Sequence, residues 1–482
     1  MKILVCLLFS ISIATAQPLQ LHPDNTHYFL YKGTPAVLIT SGEHYGAVLN
    51  LDFDYDVYLE TLQNDDLNLT RLFTGSYVEK LGAFGIQHNT LAPAENKFLA
   101  PWARSDTPGY INGGNKFDLD AWNKDYFARL HDFIAKASQR GVIVEVVFFS
   151  SIYTDSNWRY CPMHPDNNIN TLPPLDRQLI HTLDNGPYLR YQEALVKKIV
   201  QELNDYDNIY YEIQNEPWAD QSDSAGMILE HLLDDNLSSP WQNRIDLAAA
   251  ASLAWQRLIA GKISDQEKSL PKKHLIAQNY CNFKHPLIHV DSSISVINFH
   301  YALPEAVTLN YSRQRPVAFD ESGFAGSEPA AYRRQAWRFI LSGGAVFSGL
   351  DYSFYPGHEK GDGELSGPGG GGPELRRQLS VLRRFIQRFD LSRLKPDCTS
   401  ILHHPGLYAN VLSTPGEQCA AYFEGRGNGT LVCSLPANSY RVTWFNVISG
   451  QEIASQMIHT KGQSVEIAVP SFQGEIAMEI RI

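Results

Sequence analysis

The sequence predicts a (β/α)8 TIM barrel followed by a smaller C-terminal β-sandwich domain, and three patterns lead to this fold class. From about residue 36 to 355, short β-branched or aromatic runs alternate with longer segments of helical period, as in a parallel sheet with crossover helices. Eight such runs can be counted, and eight parallel strands close into a barrel. After residue 390 the pattern changes to short alternating stretches separated by Gly, Asn and Pro, which is typical of a β-sandwich.

The N-terminus has the pattern of an export signal. Lys2 precedes an apolar run, and Ala14-Thr15-Ala16 offers a small-residue cleavage site of the kind that signal peptidases use. We therefore expect a signal peptide over residues 1–16, a barrel over 17–395 and the sandwich over 396–482, in a secreted or periplasmic protein. No later stretch is long and uncharged enough to predict a transmembrane helix.

The predicted elements follow one another in chain order, beginning with a hairpin whose turn is at Lys32-Gly33. The strand candidates are 35–42, 67–73, 142–149, 208–215, 274–280, 294–301, 316–322 and 344–352. The helix candidates are 54–64, 119–140, 187–204, 243–264, 329–342 and 373–389. Pro187 suits a first helical position and Gly141 a helix stop. The connection between the fifth and sixth strands is too short to predict a good helix.

Charge and cysteine usage limit the classes of partner. The formal net charge is −12 and no basic run occurs, so a polyanion such as nucleic acid would be repelled, and a neutral substrate fits better. The cysteines after residue 16 have no CxxC spacing, which argues against a zinc site of cysteines. Cys419 and Cys433 could pair across neighbouring strands, although buried free thiols are the expected state. No metal or cofactor is expected.

Two acidic residues end predicted barrel strands, where barrel enzymes place their reactive groups. Glu216 closes the fourth run in NEPW, and Glu321 closes the seventh in FDESG. Hydrolysis of a glycosidic bond needs one protonated carboxyl and one ionised carboxylate, and this pair could supply both. Strand alternation favours Glu321 over Asp320, because Val317, Phe319 and Glu321 would share one face.

The segments IYYEIQNEPW and VAFDESGF resemble the strand-four and strand-seven signatures of the clan of retaining (β/α)8 glycoside hydrolases. The family 5 cellulases and mannanases belong to this clan. The resemblance implies that Glu216 is the general acid/base and Glu321 the nucleophile. It also implies that Asn215 binds the sugar 2-hydroxyl.

Further strand-end residues extend this resemblance. Arg71 ends the second run and His300-Tyr301 ends the sixth; the resemblance implies that Arg71 orients the nucleophile and that the ring pair lines the site. Arg71 is equally expected as a structural partner of Glu145 and Glu212, because a buried charge must be paired. Both roles can hold at once.

Other candidates stay open between a binding role and a structural one. Glu43-His44 ends the first run and either binds substrate or caps a loop. At strand eight the chain departs from the clan pattern, because Asp351-Tyr352 stands where a Trp is often found. The aromatic residues just past strand ends either stack on sugar rings or pack loops; they are Trp158, Trp218, Tyr280 and Tyr352. The glycine-rich loop 358–373 either covers the cleft or is mobile.

The sequence thus predicts a retaining hydrolase that cleaves β-linked poly- or oligosaccharides by double displacement. A non-catalytic carbohydrate-binding barrel is the alternative, and the presence of both acids argues against it. A metal-dependent barrel hydrolase is a third hypothesis, disfavoured because the first strand lacks a His-x-His ligand pair.

Overall fold

A computed structural model describes residues 17–220, 228–229, 240–365, 367–427 and 429–482, and the predicted signal peptide lies outside them. The strands up to residue 350 are β1 (Gln20–Leu21), β2 (Phe29–Tyr31), β3 (Thr34–Ala36), β4 (Leu38–Gly42), β5 (Leu69–Phe73), β6 (Trp102–Pro108), β7 (Asn115–Trp122), β8 (Ile143–Ser150), β9 (Ile209–Asn215), β10 (Ile228–Leu229), β11 (Arg244–Ile245), β12 (Ile276–Asn282), β13 (Val296–His300), β14 (Val317–Ser322) and β15 (Val346–Leu350). The α-helices are α1 (Tyr55–Asn64), α2 (Lys124–Gln139), α3 (Asp155–Tyr160), α4 (Tyr188–Leu203), α5 (Pro217–Asp220), α6 (Ala250–Lys268), α7 (Pro304–Asn310), α8 (Pro329–Ile340) and α9 (Gly372–Ile386).

Eight of these strands form one parallel sheet in the order β4-β15-β14-β13-β12-β9-β8-β5. Each lies on one of the eight predicted runs, so the predicted barrel is confirmed. The two end strands of this order, β4 and β5, are joined through Asn68. Its side-chain amide donates to the Val37 carbonyl oxygen (3.0 Å) and accepts from the Ile39 N–H (2.9 Å), and its own N–H donates to the Ile39 oxygen (3.3 Å). Asn68 therefore closes the barrel where the strand ladder is incomplete.

Two predicted helices begin later than expected. Helix α2 begins at Lys124 instead of residue 119, because residues 115–122 form β7, which pairs with β6 as an antiparallel hairpin. The Asn123 side chain caps α2 by accepting from two backbone N–H groups of its first turn. Helix α6 begins at Ala250 instead of residue 243, because the preceding segment lies along β12. No helix forms between β12 and β13, a stretch that is described throughout, as the short connection predicted.

The predicted hairpin at the start of the chain is present as β2 and β3. Its turn residues Lys32 and Gly33 have φ values of 49° and 77°, the left-handed pair of a two-residue hairpin turn. The hairpin lies at the N-terminal end of the barrel, where the Leu19 N–H donates to the Asp207 carbonyl oxygen (2.9 Å) just before β9. The N-terminal segment therefore lies opposite the rim that carries reactive groups in barrel enzymes.

The C-terminal part is built from antiparallel strands. They are β16 (Lys395–Pro396), β17 (Ile401–His403), β18 (Leu407–Thr414), β19 (Gln418–Gly427), β20 (Thr430–Ser434), β21 (Asn438–Phe445), β22 (Glu452–Thr460), β23 (Ser464–Ala468) and β24 (Phe472–Arg481). A six-stranded sheet, β16-β18-β19-β24-β21-β22, and a three-stranded sheet, β17-β20-β23, enclose a second hydrophobic core. Cys419 and Cys433 are buried free thiols in this core, as expected. The boundary at residue 396 stays a prediction.

The six-stranded sheet packs on the outer helices of the barrel. Trp337 of α8 stacks on Tyr422 of β19 with ring centroids 5.4 Å apart, and Arg333 of α8 forms an ion pair with Glu475 of β24. The two parts of the chain thus share a packed interface. Among the described residues, every helix is too short or too polar to span a bilayer.

Candidate active site

A cavity of about 380 Å³ lies at the C-terminal ends of the barrel strands. Both predicted acids, Glu216 and Glu321, line it together with residues at or just past all eight strand ends. The backbone is strained at several of these positions: φ is 48° at Glu216, 64° at Tyr45 and 51° at Tyr301. Left-handed conformations of residues other than glycine cost free energy and cluster at functional sites. Three such positions therefore lie together at this rim.

The two acids lie close together across the cavity. A carboxylate oxygen of Glu216, one of Glu321 and a ring nitrogen of His300 all lie within 4.8 Å of one another. The backbone of Glu216 is fixed on both sides, because its N–H donates to Asn279 Oδ1 (3.1 Å) and its carbonyl oxygen accepts from Ser151 Oγ (2.5 Å). The side chain thus starts from a rigid point above the end of β9.

The surroundings of Glu216 favour its neutral form. The residue is only 8% exposed, and its burial raises the pKa of the carboxyl. Its neighbour His300 is fully buried, and burial lowers the pKa of the imidazole to about 3, so this ring is neutral at pH 7. His300 Nδ1 lies 2.9 Å from Glu216 Oε1, and Tyr153 donates to Glu216 Oε2 (2.7 Å). No charged donor within hydrogen-bond distance holds this carboxyl ionised among the described residues.

The surroundings of Glu321 favour its ionised form. Arg71 Nη1 donates to Glu321 Oε2 at 3.2 Å, and the Tyr45 hydroxyl donates to the same oxygen at 3.1 Å. The Tyr301 hydroxyl donates to the other oxygen at 2.9 Å. A carboxylate that accepts from a guanidinium and two hydroxyls is stabilised as an anion. The cavity therefore holds two carboxyl groups with opposite electrostatic surroundings.

Glu321 reaches the cavity through a β-bulge, and the expected alternation along the strand is wrong here. Pairing of β13 with β14 steps from Phe299↔Phe319 to His300↔Glu321, which leaves Asp320 as the extra residue. Phe319 faces the helices, with its ring 5.5 Å from that of Phe339 in α8. Strict alternation would therefore turn Glu321 outward as well. The bulge re-aims it, so that Asp320 and Glu321 both point inward.

Arg71 contacts the acids of the barrel interior as well as Glu321. Arg71 Nη2 lies 2.8 Å from Glu212 and 3.5 Å from Asp320, and Nε lies 3.3 Å from Glu145. Both expected sets of contacts are thus present. Burial raises the pKa of Glu212 and of Asp320 to about 8, because one guanidinium does not compensate four carboxylates. The interior therefore retains protons at neutral pH.

Some of the remaining predicted residues line the cavity and others do not. Asn215, Tyr301, His44 and Trp218 line the cavity. His300 lies behind Glu216, fully buried, outside the lining.

Glu43 and Tyr352 are not brought to the cavity. The Glu43 carboxylate caps its own loop by accepting from the backbone N–H groups of Gly46 (2.9 Å) and Ala47 (3.3 Å). Tyr352 is covered by the glycine-rich loop, since a Cβ on Gly369 would lie 2.1 Å from its ring. The predicted contact of either residue with substrate stays a prediction.

Several lining residues were not identified from the sequence. Tyr45 and Tyr153 directly follow strand ends, so a wider search of strand-end positions would have found them. Arg244 and Asp246 line the cavity from the long connection between β9 and α6, where no pattern in the sequence distinguishes them from other loop residues.

Comparison of the chain with family models and with curated proteins finds no match. Among solved structures, a putative glycoside hydrolase from Bacteroides vulgatus is similar, with 12% identity, a TM-score of 0.64 and coverage of 97% of this chain and 82% of that chain. A family 5 glycoside hydrolase from the same organism has 11% identity and a TM-score of 0.62, with 96% and 93% covered. A third structure, described as a glycoside hydrolase, has 12% identity and a TM-score of 0.57, with 96% and 97% covered. Over nearly its whole length the chain therefore shares the fold of solved glycoside hydrolases, a (β/α)8 barrel followed by a β-rich domain.

Proposed function

We propose that the protein is a retaining glycoside hydrolase that cleaves β-linked poly- or oligosaccharides. The observation that carries this proposal is the pair Glu216 and Glu321, whose oxygens lie within 4.8 Å of each other in one cavity. Retaining enzymes hold their two carboxyl groups about 5 to 5.5 Å apart, whereas inverting enzymes leave roughly 6.5 to 9.5 Å for a water molecule. The short separation favours retention.

The opposite surroundings of the two acids match the two roles. In the first step the Glu321 carboxylate attacks the anomeric carbon while Glu216 donates its proton to the leaving oxygen. In the second step Glu216 takes a proton from water, the water oxygen bonds to the anomeric carbon, and the bond to Glu321 breaks. Arg71 supports this cycle by stabilising the Glu321 carboxylate before attack and after release.

Asn215 fits the proposed contact with the sugar 2-hydroxyl. Its side chain is held between Arg71 Nη2, which donates to Oδ1 (3.1 Å), and the Tyr153 hydroxyl, which accepts from Nδ2 (3.0 Å). A side chain locked in this way is preorganised to bind substrate. We further propose that His44 and Trp218 contact the sugar from the cavity wall.

The proposal is tested with purified protein on a panel of neutral β-linked polysaccharides and aryl β-glycosides. We expect product release, with proton NMR showing the β-anomer first. Glu321→Gln should reduce turnover below detection. Glu216→Gln should retain a burst on a dinitrophenyl glycoside, because that leaving group needs no proton, and added azide should restore turnover.

The control variant is Glu305→Gln, an acid of α7 whose side chain is 53% exposed and outside the cavity. It should leave turnover unchanged. An initial α-anomer would refute the retaining mechanism, and unreduced activity of Glu321→Gln would refute the assignment of the nucleophile. Tight glycan binding with no product over long incubation would favour the non-catalytic binding barrel instead.

We also propose that the chain is exported and cleaved before Gln17, with the barrel over 17–395 and the sandwich over 396–482. The N-terminal pattern supports export. N-terminal sequencing of the protein recovered outside the cytoplasm tests it, and a retained Met1 would contradict it.

A further inference from the structure

One end of the cavity is formed by a short segment that lies against β12. The Asp246 N–H donates to Asn282 Oδ1 (2.9 Å), and Asn282 Nδ2 donates to the Arg244 carbonyl oxygen (3.2 Å). Two residues later, the Ala248 N–H donates to the Tyr280 carbonyl oxygen (3.0 Å). These bonds fix the positions of Arg244 and Asp246 before any ligand binds.

The side chains of this pair leave hydrogen-bonding groups unused. Arg244 Nε donates to Asp246 Oδ2 at 3.0 Å. Asp246 Oδ1 is buried and accepts from no other described residue, and the Asp246 side chain is only 8% exposed. Within the described part of the chain, the two terminal guanidinium nitrogens of Arg244 also have no partner. A buried acceptor left unpaired costs about 1 to 3 kcal/mol, so a ligand that donates to it is favoured.

An aromatic ring adjoins the pair. Trp241 lines the same cavity, with its ring centroid 4.7 Å from that of Tyr301 and 5.8 Å from that of Phe324. Fixed donors and acceptors beside an aromatic face complement a pyranose, which has hydroxyls around its edge and C–H groups on its faces.

Charge at this end of the cavity disfavours an anionic ligand. Arg244 and Asp246 compensate each other, and the acids Glu79 and Glu321 also line the cavity. The chain as a whole carries −12. An acidic sugar would therefore be repelled, whereas a neutral sugar would not.

Resting on the proposed function, we infer that Arg244 and Asp246 form a second sugar-binding subsite for a neutral pyranose with two adjacent free hydroxyls. One hydroxyl donates to Asp246 Oδ1, and the neighbouring hydroxyl oxygen accepts from the Arg244 guanidinium. The subsite shares the cavity of the acid/base, because Arg244, Asp246 and Glu216 all line it. The protein therefore recognises at least two sugar units of its substrate.

The test measures binding without turnover, in the Glu321→Gln background, by calorimetry. The ligands are the monosaccharides and the β-linked trisaccharides of glucose, mannose and xylose. Adding Arg244→Ala should weaken trisaccharide binding about tenfold, since it removes hydrogen bonds worth about 1 kcal/mol each, and should weaken monosaccharide binding less. Arg244→Lys should recover part of the loss, because it restores a cationic donor.

The matched control is Arg257→Ala on α6. Arg257 Nε lies 3.0 Å from Asp291 Oδ2, the same distance as in the subsite pair, but its side chain is 70% exposed and does not line the cavity. Equal trisaccharide affinities of the Arg244→Ala and Arg257→Ala variants would overturn the subsite, as would equal losses for monosaccharide and trisaccharide. Tighter binding of a glucuronic-acid-bearing trisaccharide would overturn its neutral specificity.

The subsite and the proposed hydrolysis fail in different ways. If the wild-type chain releases no product while Arg244→Ala still weakens trisaccharide binding, the hydrolase proposal is refuted and the subsite is supported. If the wild-type chain hydrolyses its substrate while Arg244→Ala leaves the binding of every trisaccharide unchanged, the hydrolase proposal is supported and the subsite is refuted. Absence of binding for all trisaccharides refutes the subsite.

Discussion

At the scale of single residues, the site depends on the different surroundings of two glutamate side chains. Glu216 has a neutral imidazole and a phenol as its nearest partners, whereas Glu321 has a guanidinium and two phenols. Burial penalises the charged form of a carboxyl, and only a nearby cation or several donors can offset that penalty. Arg71 donates to Glu321 and not to Glu216, and this contact distinguishes the surroundings of the two acids.

The pH dependence of activity should respond to Tyr153. Its hydroxyl donates to Glu216, which favours the ionised form and lowers the pKa that burial raises. Glu216 must be protonated for the first step, so activity falls as the pH rises through its pKa. Tyr153→Phe removes the donor and raises that pKa, so it should move the basic limb of kcat/KM to higher pH.

The control for this experiment is Tyr211→Phe. Tyr211 is buried in β9, and no described residue hydrogen-bonds to its hydroxyl, so its removal should leave the limb in place. A purely structural role of Tyr153 would lower kcat/KM at every pH without moving the limb. A shift to lower pH would contradict the proposed contact.

Residue types at strand ends could be predicted from the sequence, but not the geometry that aims them. Glu216 and Glu321 were identified because they end apolar runs. The bulge at Asp320 depends on pairing with both β13 and β15, and no local pattern encodes it. Arg244 and Asp246 were missed for a similar reason, because only the contacts of their segment with β12 bring them to the cavity.

At the scale of elements, hydrophobic periodicity predicted the eight barrel strands because each is buried along its whole length. Such strands appear as continuous apolar runs. The hairpin of β6 and β7 was missed because its second strand, NKFDLDAW, directly precedes α2. Its last residues fit the helical period, so the helix was predicted to begin too early.

Closure of the barrel should depend on Asn68. Asn68→Ala would leave the Ile39 N–H and the Val37 carbonyl oxygen without their side-chain partner in the interior. Each unpaired buried group costs about 1 to 3 kcal/mol, so we expect the free energy of unfolding to fall by about 2 to 6 kcal/mol in urea titrations. Asn68→Asp, which retains the acceptor alone, should fall between the two proteins.

Asn64→Ala provides the comparison for this substitution, because Asn64 is exposed in the last turn of α1. Alanine is favourable in helices, so stability should be unchanged or slightly higher. Equal stability of Asn68→Ala and the wild-type protein would mean that backbone contacts alone close the barrel.

At the scale of the whole molecule, the β-rich part is attached through charges as well as apolar contacts. Arg333 Nε and Nη2 donate to the two oxygens of Glu475 at 2.9 and 2.6 Å, and Tyr422 donates to Glu475 at 3.0 Å. Glu475 is 142 residues from Arg333 and 53 residues from Tyr422 in the chain. Sequence patterning predicted both parts but not this interface, because patterning reports which face is buried and not what covers it.

Stability at neutral pH should depend on the charge of Glu475. Burial would raise the pKa of this carboxyl, but its contacts with Arg333 and Tyr422 outweigh burial and lower it. A carboxyl whose pKa is lowered on folding stabilises the folded state above its unfolded pKa, near 4.5, and loses this contribution as the pH falls through the folded value. Glu475→Gln should therefore cost about 3 kcal/mol at pH 7, because it leaves Arg333 buried without its counter-ion.

Thermal unfolding of both proteins across a pH series checks this expectation. The difference in Tm should be largest near pH 7 and should shrink as the pH falls from 4.5 through the lowered pKa of the folded Glu475 carboxyl, where the wild-type side chain takes up a proton. Glu417→Gln is the matched control: Glu417, between β18 and β19, forms a bidentate pair with Arg393, but both side chains are about half exposed, at 44% and 50%. Exposed pairs contribute about 0 to 1 kcal/mol, so an equally large effect of Glu417→Gln would mean that general surface charge, and not the buried contact with α8, attaches the β-rich part to the barrel.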